Sequence, residues 1–241
     1  MTFLVCTHNT GYARGNNKGI KVALEDNNVD RIMILNNDVL FVEDIIPPLV
    51  LKQDQLTDCA IISPILYKKN MVDLDYTCAR LCPSEWELII NTFHLAINNF
   101  RHSRKLEKRN WLLLKKPSLQ SNLKIEVELP SGACMLIRKD LFIEIGLFDP
   151  QTFLYYEENI LFKKLSMMGY RNYVIPHLKC IHLGGESTKK IPSSFIQSVG
   201  ADSREYYLNY YGELNILQKV ISRVAICMYR LKIRMVRVLQ K

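Results

Sequence analysis

Residues 131–170 read SGACMLIRKDLFIEIGLFDPQTFLYYEENILFKKLSMMGY, and this stretch decides the fold class. Three small residues, Ser131, Gly132 and Ala133, open it, where a backbone can lie close to a ligand or to another strand. The apolar run 134–137 predicts a buried strand, and 139–145 a short helix closed by Gly146 in the C′ position. Asp149-Pro150 predicts a turn. The aromatic run Phe153-Leu154-Tyr155-Tyr156 then leads directly into Glu157-Glu158. Ile160, Leu161, Leu165 and Met168 recur at helical spacing up to Gly169, so the two glutamates stand at the first turn of a helix. Acids there complement the helix dipole. A carboxylate walled by Phe153, Tyr155 and Tyr156 would also lose hydration, which raises its pKa toward that of a general base. Both readings stand at this point.

Around this stretch, 241 residues with 48% hydrophobic content suffice for one sizeable core. The seven cysteines, at 6, 59, 78, 82, 134, 180 and 227, form neither a CxxC nor a metal-ligand spacing. Such an odd, scattered set reads as reduced thiols of a cytosolic protein. No signal-peptide pattern opens the chain, and no apolar run approaches the roughly 20 residues of a membrane span. The net charge is +8, and residues 217–241 carry seven Lys or Arg with no acid. Lys219, Arg223, Arg230, Arg234, Arg237 and Lys241 fall along one helical face there. Leu217, Val220, Ile221, Val224, Met228, Leu231, Met235 and Val238 line another. A basic amphipathic helix of this kind predicts binding to an anionic membrane surface, with packing on the domain or nucleic-acid binding as rivals. No nucleic-acid recognition motif supports the last. The chain divides accordingly into a domain at 1–202 and a helical basic tail at 203–241.

From the N-terminus, 2–7 predicts a buried strand. The segment GYARGNNKGI at 11–20 then predicts a glycine-rich turn into a helix over 18–25, whose free N–H groups could face an anion. A tight turn with no ligand fits the same spacing. RIMIL at 31–35 predicts a second buried strand, ending in Asn36-Asn37-Asp38. A carboxylate at the end of such a strand lies where open α/β sheets bind ligands, although Asn-Asn-Asp also suits a plain turn. A helix is predicted over 42–52 and strands over 60–63, 73–78, 171–175 and 178–182, with a further helix over 86–100. Five basic residues in 101–109 read either as a solvated loop or as a basic rim for a phosphate-bearing acceptor. His182 ends its strand before Gly184-Gly185-Glu186-Ser187-Thr188, and four tyrosines crowd 206–211.

Small-residue strand, helix, GLFDP, FLYYEENIL, GY and HLGGEST, in this order, resemble family 2 glycosyltransferases, particularly the rhamnosyltransferase-like branch. The likeness runs from about Phe3 to Thr188. It implies an α/β, GT-A-like fold with a mixed, mostly parallel sheet flanked by helices. Glu158, with Glu157 beside it, would carry the catalytic base. Gly15, Asn16, Asn17, Asn36, Gly132 and Ala133 would contact the donor nucleotide. Asp38 and His182 would hold Mg²⁺ or Mn²⁺ at the donor pyrophosphate. The implied activity is metal-dependent, inverting transfer of a sugar, with rhamnose first among candidates. The donor would be a dTDP- or UDP-sugar, and the acceptor a saccharide or lipid-linked saccharide of cell-surface polysaccharide. The expected location is the cytoplasm, peripheral on the inner face of the cell membrane. Relatives of this kind begin with an additional strand and helix. The expectation is therefore weak turnover for a chain that starts at what reads as the second strand, and the alternative is a non-catalytic chain of the same fold.

Overall fold

The computed structural model describes residues 2, 4–184 and 191–239, so Gly185–Thr188 of the final motif lies outside the described residues. The strands are β1 Arg31–Leu35, β2 Val39–Phe41, β3 Cys59–Tyr67, β4 Ala79–Arg80, β5 Ile125–Val127, β6 Leu129–Pro130, β7 Cys134–Arg138 and β8 Arg171–His182. The helices are α1 Tyr12–Ala23, α2 Ile46–Asp54, α3 Glu85–Ala96, α4 Phe100–Arg109, α5 Leu112–Lys115, α6 Lys139–Glu144, α7 Glu157–Met167, α8 Ser193–Tyr210 and α9 Ile216–Leu239.

The main sheet runs β1-β7-β3-β8-β2, with β5 also on β8, and β4 pairs with β6 in a small second sheet. Successive side chains of β7 go to opposite faces. Cys134 and Leu136 join Ile45 just before α2, Leu49 of α2 and Leu113 of α5. Met135 and Ile137 join Ala13 and Ile20 of α1, Leu141 and Phe142 of α6, and Leu161 and Leu165 of α7. A sheet covered on both faces explains why its strands read as unbroken apolar runs.

The mixed α/β sheet flanked by helices is as expected, but its predominance of parallel pairing is corrected. Among the described residues, β3 and β8 are parallel, while β1–β7, β3–β7, β2–β8 and β5–β8 are antiparallel. An apolar run buried on both faces looks the same in either direction, so composition could not settle orientation. Among the described residues of 2–7 the expected strand is also absent: Leu4 to Cys6 are exposed and pair with nothing in the sheet. An apolar run without a partner edge has no ladder to join.

Two prolines that directly follow the expected strands 60–63 and 171–175 sit at one irregularity. Pro64 and Pro176 flank a register shift in the β3–β8 ladder, which lets β3 run on to Tyr67 and joins the two expected strands into one β8. Proline has no N–H to give a regular ladder, and a bulge asks for none. The boundary expected at residue 203 falls inside α8, which continues unbroken to Tyr210. The basic segment 101–109 is the helix α4. No helix among the described residues is long and apolar enough to cross a membrane.

Candidate active site

The turn before α7 is strained. Tyr155 and Tyr156 both have positive φ, 74° and 72°. Each costs roughly 1–2 kcal/mol for a residue with a Cβ. Contacts from α8 hold the turn. Ser203 Oγ donates to the Leu154 carbonyl at 2.9 Å, Arg204 Nε donates to the Tyr156 hydroxyl at 2.6 Å, and Tyr156 packs on Tyr207 with ring centroids 5.3 Å apart. Arg204 is itself tied to Thr92 Oγ1 at 2.8 Å on α3. The crowded tyrosines are explained in the same way: Tyr206 and Tyr211 donate to Asp149 Oδ2, joining α8 to the GLFDP turn.

The strained turn sends the two glutamates in different directions. Glu158 Oε1 accepts the Gly132 N–H at 3.0 Å and lies 3.7 Å from Arg80. Its side chain opens on a cavity of about 490 Å³ whose lining includes Thr77, Arg80, Trp111, Tyr156 and Arg204. Glu157 points inward, only 4% exposed, with Oε1 lacking any hydrogen-bond partner. It is not part of that lining, whereas Glu158 is. Burial, then the Glu158 charge, pushes the Glu157 carboxyl up to about 8. Its protonated form therefore favours the fold, and the stability it lends is lost as pH rises from about 4.5 to about 8. Glu157→Gln is expected to flatten that slope and to be the more stable protein at pH 8, by a few kcal/mol at most. Urea unfolding of both proteins at pH 5 and pH 8 checks this, and parallel pH profiles would contradict it.

A side chain at Gly132 would crowd this seat. A Cβ on it would lie 2.9 Å from Glu158 Oε1 and 2.9 Å from the Tyr12 hydroxyl, which donates to the Gly132 carbonyl at 2.6 Å. Burial, followed by the charges of Glu158 and Glu157, drives the Tyr12 hydroxyl pKa well up, which keeps it a donor. Gly132→Ala is expected to cost roughly 1–3 kcal/mol of stability and to dislodge Glu158. Thermal unfolding measures the cost, and an unchanged melting temperature would mean that the neighbouring side chains simply move aside.

From Gly132 a continuous backbone path leads to the second acidic cluster. The Ala133 carbonyl accepts the Asn36 N–H at 2.8 Å, and two residues later Asp38 meets His182, whose neighbour Leu183 donates its N–H to the Asp38 carbonyl at 2.9 Å. His182 Nε2 lies 3.5 Å from Asp38 Oδ1, and its Nδ1 lies 2.9 Å from Asp75 Oδ2. The hydrogen bond to Asp75 is the main reason the His182 pKa is raised, with the charges of Asp75 and Asp38 adding to it against burial. Burial would lift Asp75, but its bonds to His182 and Thr77 outweigh that and leave its carboxyl below the usual range. Thr77 connects this cluster to the main cavity: its N–H donates to Asp75 Oδ1 at 3.1 Å, and its carbonyl accepts Arg80 Nε at 2.8 Å. A more open hollow of about 420 Å³, lined by Lys68, Lys69, Asp75 and His182, lies on the His182 side.

The structure thus brings Glu158, Gly132, Ala133, Asn36, Asp38 and His182 into one connected region. Asp38 lines neither cavity, and its link to Glu158 runs through Asp75 and Thr77. The glycine-rich turn is corrected. Residues 12–23 are helix, Gly15 N–H is bonded to the Gly11 carbonyl at 3.0 Å, and no free anion-binding loop remains there. Asn16 Nδ2 donates to the Tyr12 carbonyl at 2.9 Å. Asn17 both donates to and accepts from the Phe148 backbone, at 2.8 and 3.1 Å. These groups position α1 and are engaged before any nucleotide arrives. Sequence reading passed over Lys68, Lys69, Asp75, Arg80 and Arg204, which lie in the stretches it found least legible or in the assumed tail.

For a divalent cation, the telling atom is Asp38 Oδ1, buried and without a hydrogen-bond partner. In the neutral ring whose Nδ1 donates to Asp75, Nε2 would present a lone pair toward that same oxygen, whereas the protonated ring would donate to it. Two acceptors facing each other fit a shared cation. No group of three or more His, Cys, Asp and Glu among the described residues forms a metal site, so a cation here would need ligands from outside the protein. Phosphate oxygens and water are the usual ones for Mg²⁺.

No protein-family model matches the chain. The low-salt glycan biosynthesis hexosyltransferase Agl10 of Haloferax volcanii is 28% identical over 151 residues, which is 62% of this chain and 41% of that protein. The N-acetylglucosaminyl-diphospho-decaprenol L-rhamnosyltransferase of Mycobacterium tuberculosis is 32% identical over 66 residues, 27% of this chain and 22% of that protein. Among solved structures, the mannosyltransferase PcManGT of Pyrobaculum calidifontis, in complex with GDP-Man and Mn²⁺, is 13% identical with a TM-score of 0.47, over 97% of this chain and 55% of that one. In sequence the chain is thus similar to part of a hexosyltransferase and to part of a rhamnosyltransferase. It spans less than half the length of either of these relatives.

Proposed function

We propose that the chain transfers a sugar from a nucleotide-sugar donor to an acceptor hydroxyl by a single displacement that inverts the anomeric centre. The observation that carries this reading is Glu158, seated on the Gly132 N–H at the wall of the main cavity and connected through Arg80, Thr77 and Asp75 to His182 and Asp38. Glu158 takes the proton of the acceptor hydroxyl as that oxygen forms its bond to the anomeric carbon. The bond from that carbon to the donor's phosphate oxygen breaks, and the nucleoside diphosphate leaves with the electron pair. Lys68 and Lys69 offer the departing diphosphate positive charge beside His182. Asp38 and His182 would hold Mg²⁺ or Mn²⁺, which when bound neutralises charge on the pyrophosphate.

A dTDP- or UDP-sugar is the proposed donor, with rhamnose the first sugar to try because the M. tuberculosis relative is named as a rhamnosyltransferase. The proposed acceptor is a saccharide or lipid-linked saccharide of a cell-surface glycan. The work would then fall on the cytoplasmic, inner face of the cell membrane. Isothermal titration of the chain with UDP and dTDP, with and without Mn²⁺, tests the donor side. Binding that needs Mn²⁺ is the expected result. No heat with either nucleotide would favour a chain of this family without turnover.

A further inference from the structure

Helix α9 has three faces. One is buried: Ala225, Ile226, Tyr229 and Ile233 pack against α3 and α8. Lys232 is drawn into the same face, donating to the Leu95 carbonyl at 3.0 Å and lying over the Phe100 and Tyr229 rings. A second face holds Lys219, Arg223, Arg230, Arg234 and Arg237. Arg230 is met by Asp202 and Glu205 of α8. The third face is a stripe of Leu217, Val220, Val224, Met228, Leu231, Met235 and Val238, spaced three or four residues apart and 40–73% exposed. Packing on the domain and an outward apolar face were alternatives from sequence. In the structure α9 has both, on different sides.

Seven large apolar side chains in an unbroken exposed row are more than scattered surface hydrophobics. From these faces we infer that the stripe docks α9 into an anionic phospholipid surface, lying in the plane of the interface. The charge pattern selects that occupant. No acidic residue lies between Ile216 and Leu239, so a second copy of the helix would bring no carboxylate to meet the basic face, whereas anionic headgroups would. The length, 24 residues with one side already buried in protein, suits lying on a bilayer and not crossing it. Tyr229, on the inward side of the same helix, lines the cavity that Glu158 opens on. Docking through the stripe would therefore set that cavity within one helix diameter, about 10 Å, of the headgroups, where the head of a lipid-linked acceptor lies. This last step rests on the proposed glycosyl transfer. The docking itself does not.

The test is co-sedimentation of the full chain with vesicles of phosphatidylcholine alone and of phosphatidylcholine mixed with phosphatidylglycerol. Binding is expected to the mixed vesicles and to weaken with salt. Leu231→Glu with Met235→Glu is expected to reduce it roughly tenfold or more, with circular dichroism and Mn²⁺–UDP binding unchanged. Arg223→Glu with Arg234→Glu is expected to lower binding to mixed vesicles by a similar factor and to remove the preference for them. Equal sedimentation of the wild type and the Leu231, Met235 variant would overturn the inference. So would a wild type that ignores vesicles but forms a dimer that this variant dissolves. Vesicle binding without any nucleotide binding would leave the docking surface standing and remove the transfer reading.

Discussion

Glu158→Gln is expected to lower the rate of sugar transfer about a thousand-fold, within the range for loss of a general base. The substitution keeps the side chain's length and an oxygen able to accept the Gly132 N–H, so the seat seen at 3.0 Å survives. What it removes is the capacity to accept the acceptor's proton. The loss should therefore fall on kcat, with little change in KM for the donor and none in the affinity for a nucleoside diphosphate. Stability is not expected to fall either, because buried Glu157 loses a neighbouring negative charge. Steady-state kinetics alongside thermal unfolding would show this. A variant that keeps more than a tenth of the wild-type rate would remove Glu158 from the role of base.

Asp38→Ala is expected to weaken Mn²⁺-dependent nucleotide binding about a hundred-fold, at the upper end of what disturbing a metal's surroundings costs. Here stability separates a cation-holding role from a structural one. A carboxylate that holds the fold together destabilises it when truncated. Asp38 Oδ1 is buried without a hydrogen-bond partner, so its removal relieves an unmet desolvation cost, which offsets the lost attraction to His182. The melting temperature of the metal-free protein should stay constant or rise. His182 keeps its bond to Asp75 in the variant, so the imidazole remains oriented while its cation partner is gone. Titration calorimetry and thermal unfolding on the same sample decide the matter: a large drop in melting temperature with nucleotide binding intact would assign Asp38 to the fold alone.

Local pattern carried much of this chain. CMLI is a strand whose apolar side chains are covered on both faces of the sheet, while RIMIL buries Ile32 and Ile34 and leaves Leu35 exposed. Glu157 and Glu158 begin α7 because the apolar spacing after them is helical and Gly169, at φ 82°, stops it. The GYARGNNKGI segment misled for the opposite reason. Three glycines suggest an open loop, but Ile20 and Ala13 bury against the sheet, and that packing outweighs the helix cost of Gly15 and Gly19. Asp75, Arg80 and the two lysines at 68 and 69 stood in a region with no clear periodicity. Their importance comes from contacts with residues far along the chain, such as the Asp75–His182 bond and the Arg80–Glu158 pair.

The sequence by itself therefore determined that 134–137 is buried, where α7 starts and which residue types stand ready at strand and helix ends, because these depend on neighbours a few positions apart. Only the tertiary structure decided that β3 and β8 run parallel while their neighbours do not, that Glu158 faces a cavity while Glu157 is enclosed, and that α9 shows an apolar stripe outward. Those outcomes depend on which distant element occupies each side of a residue, and periodicity along the chain does not encode that.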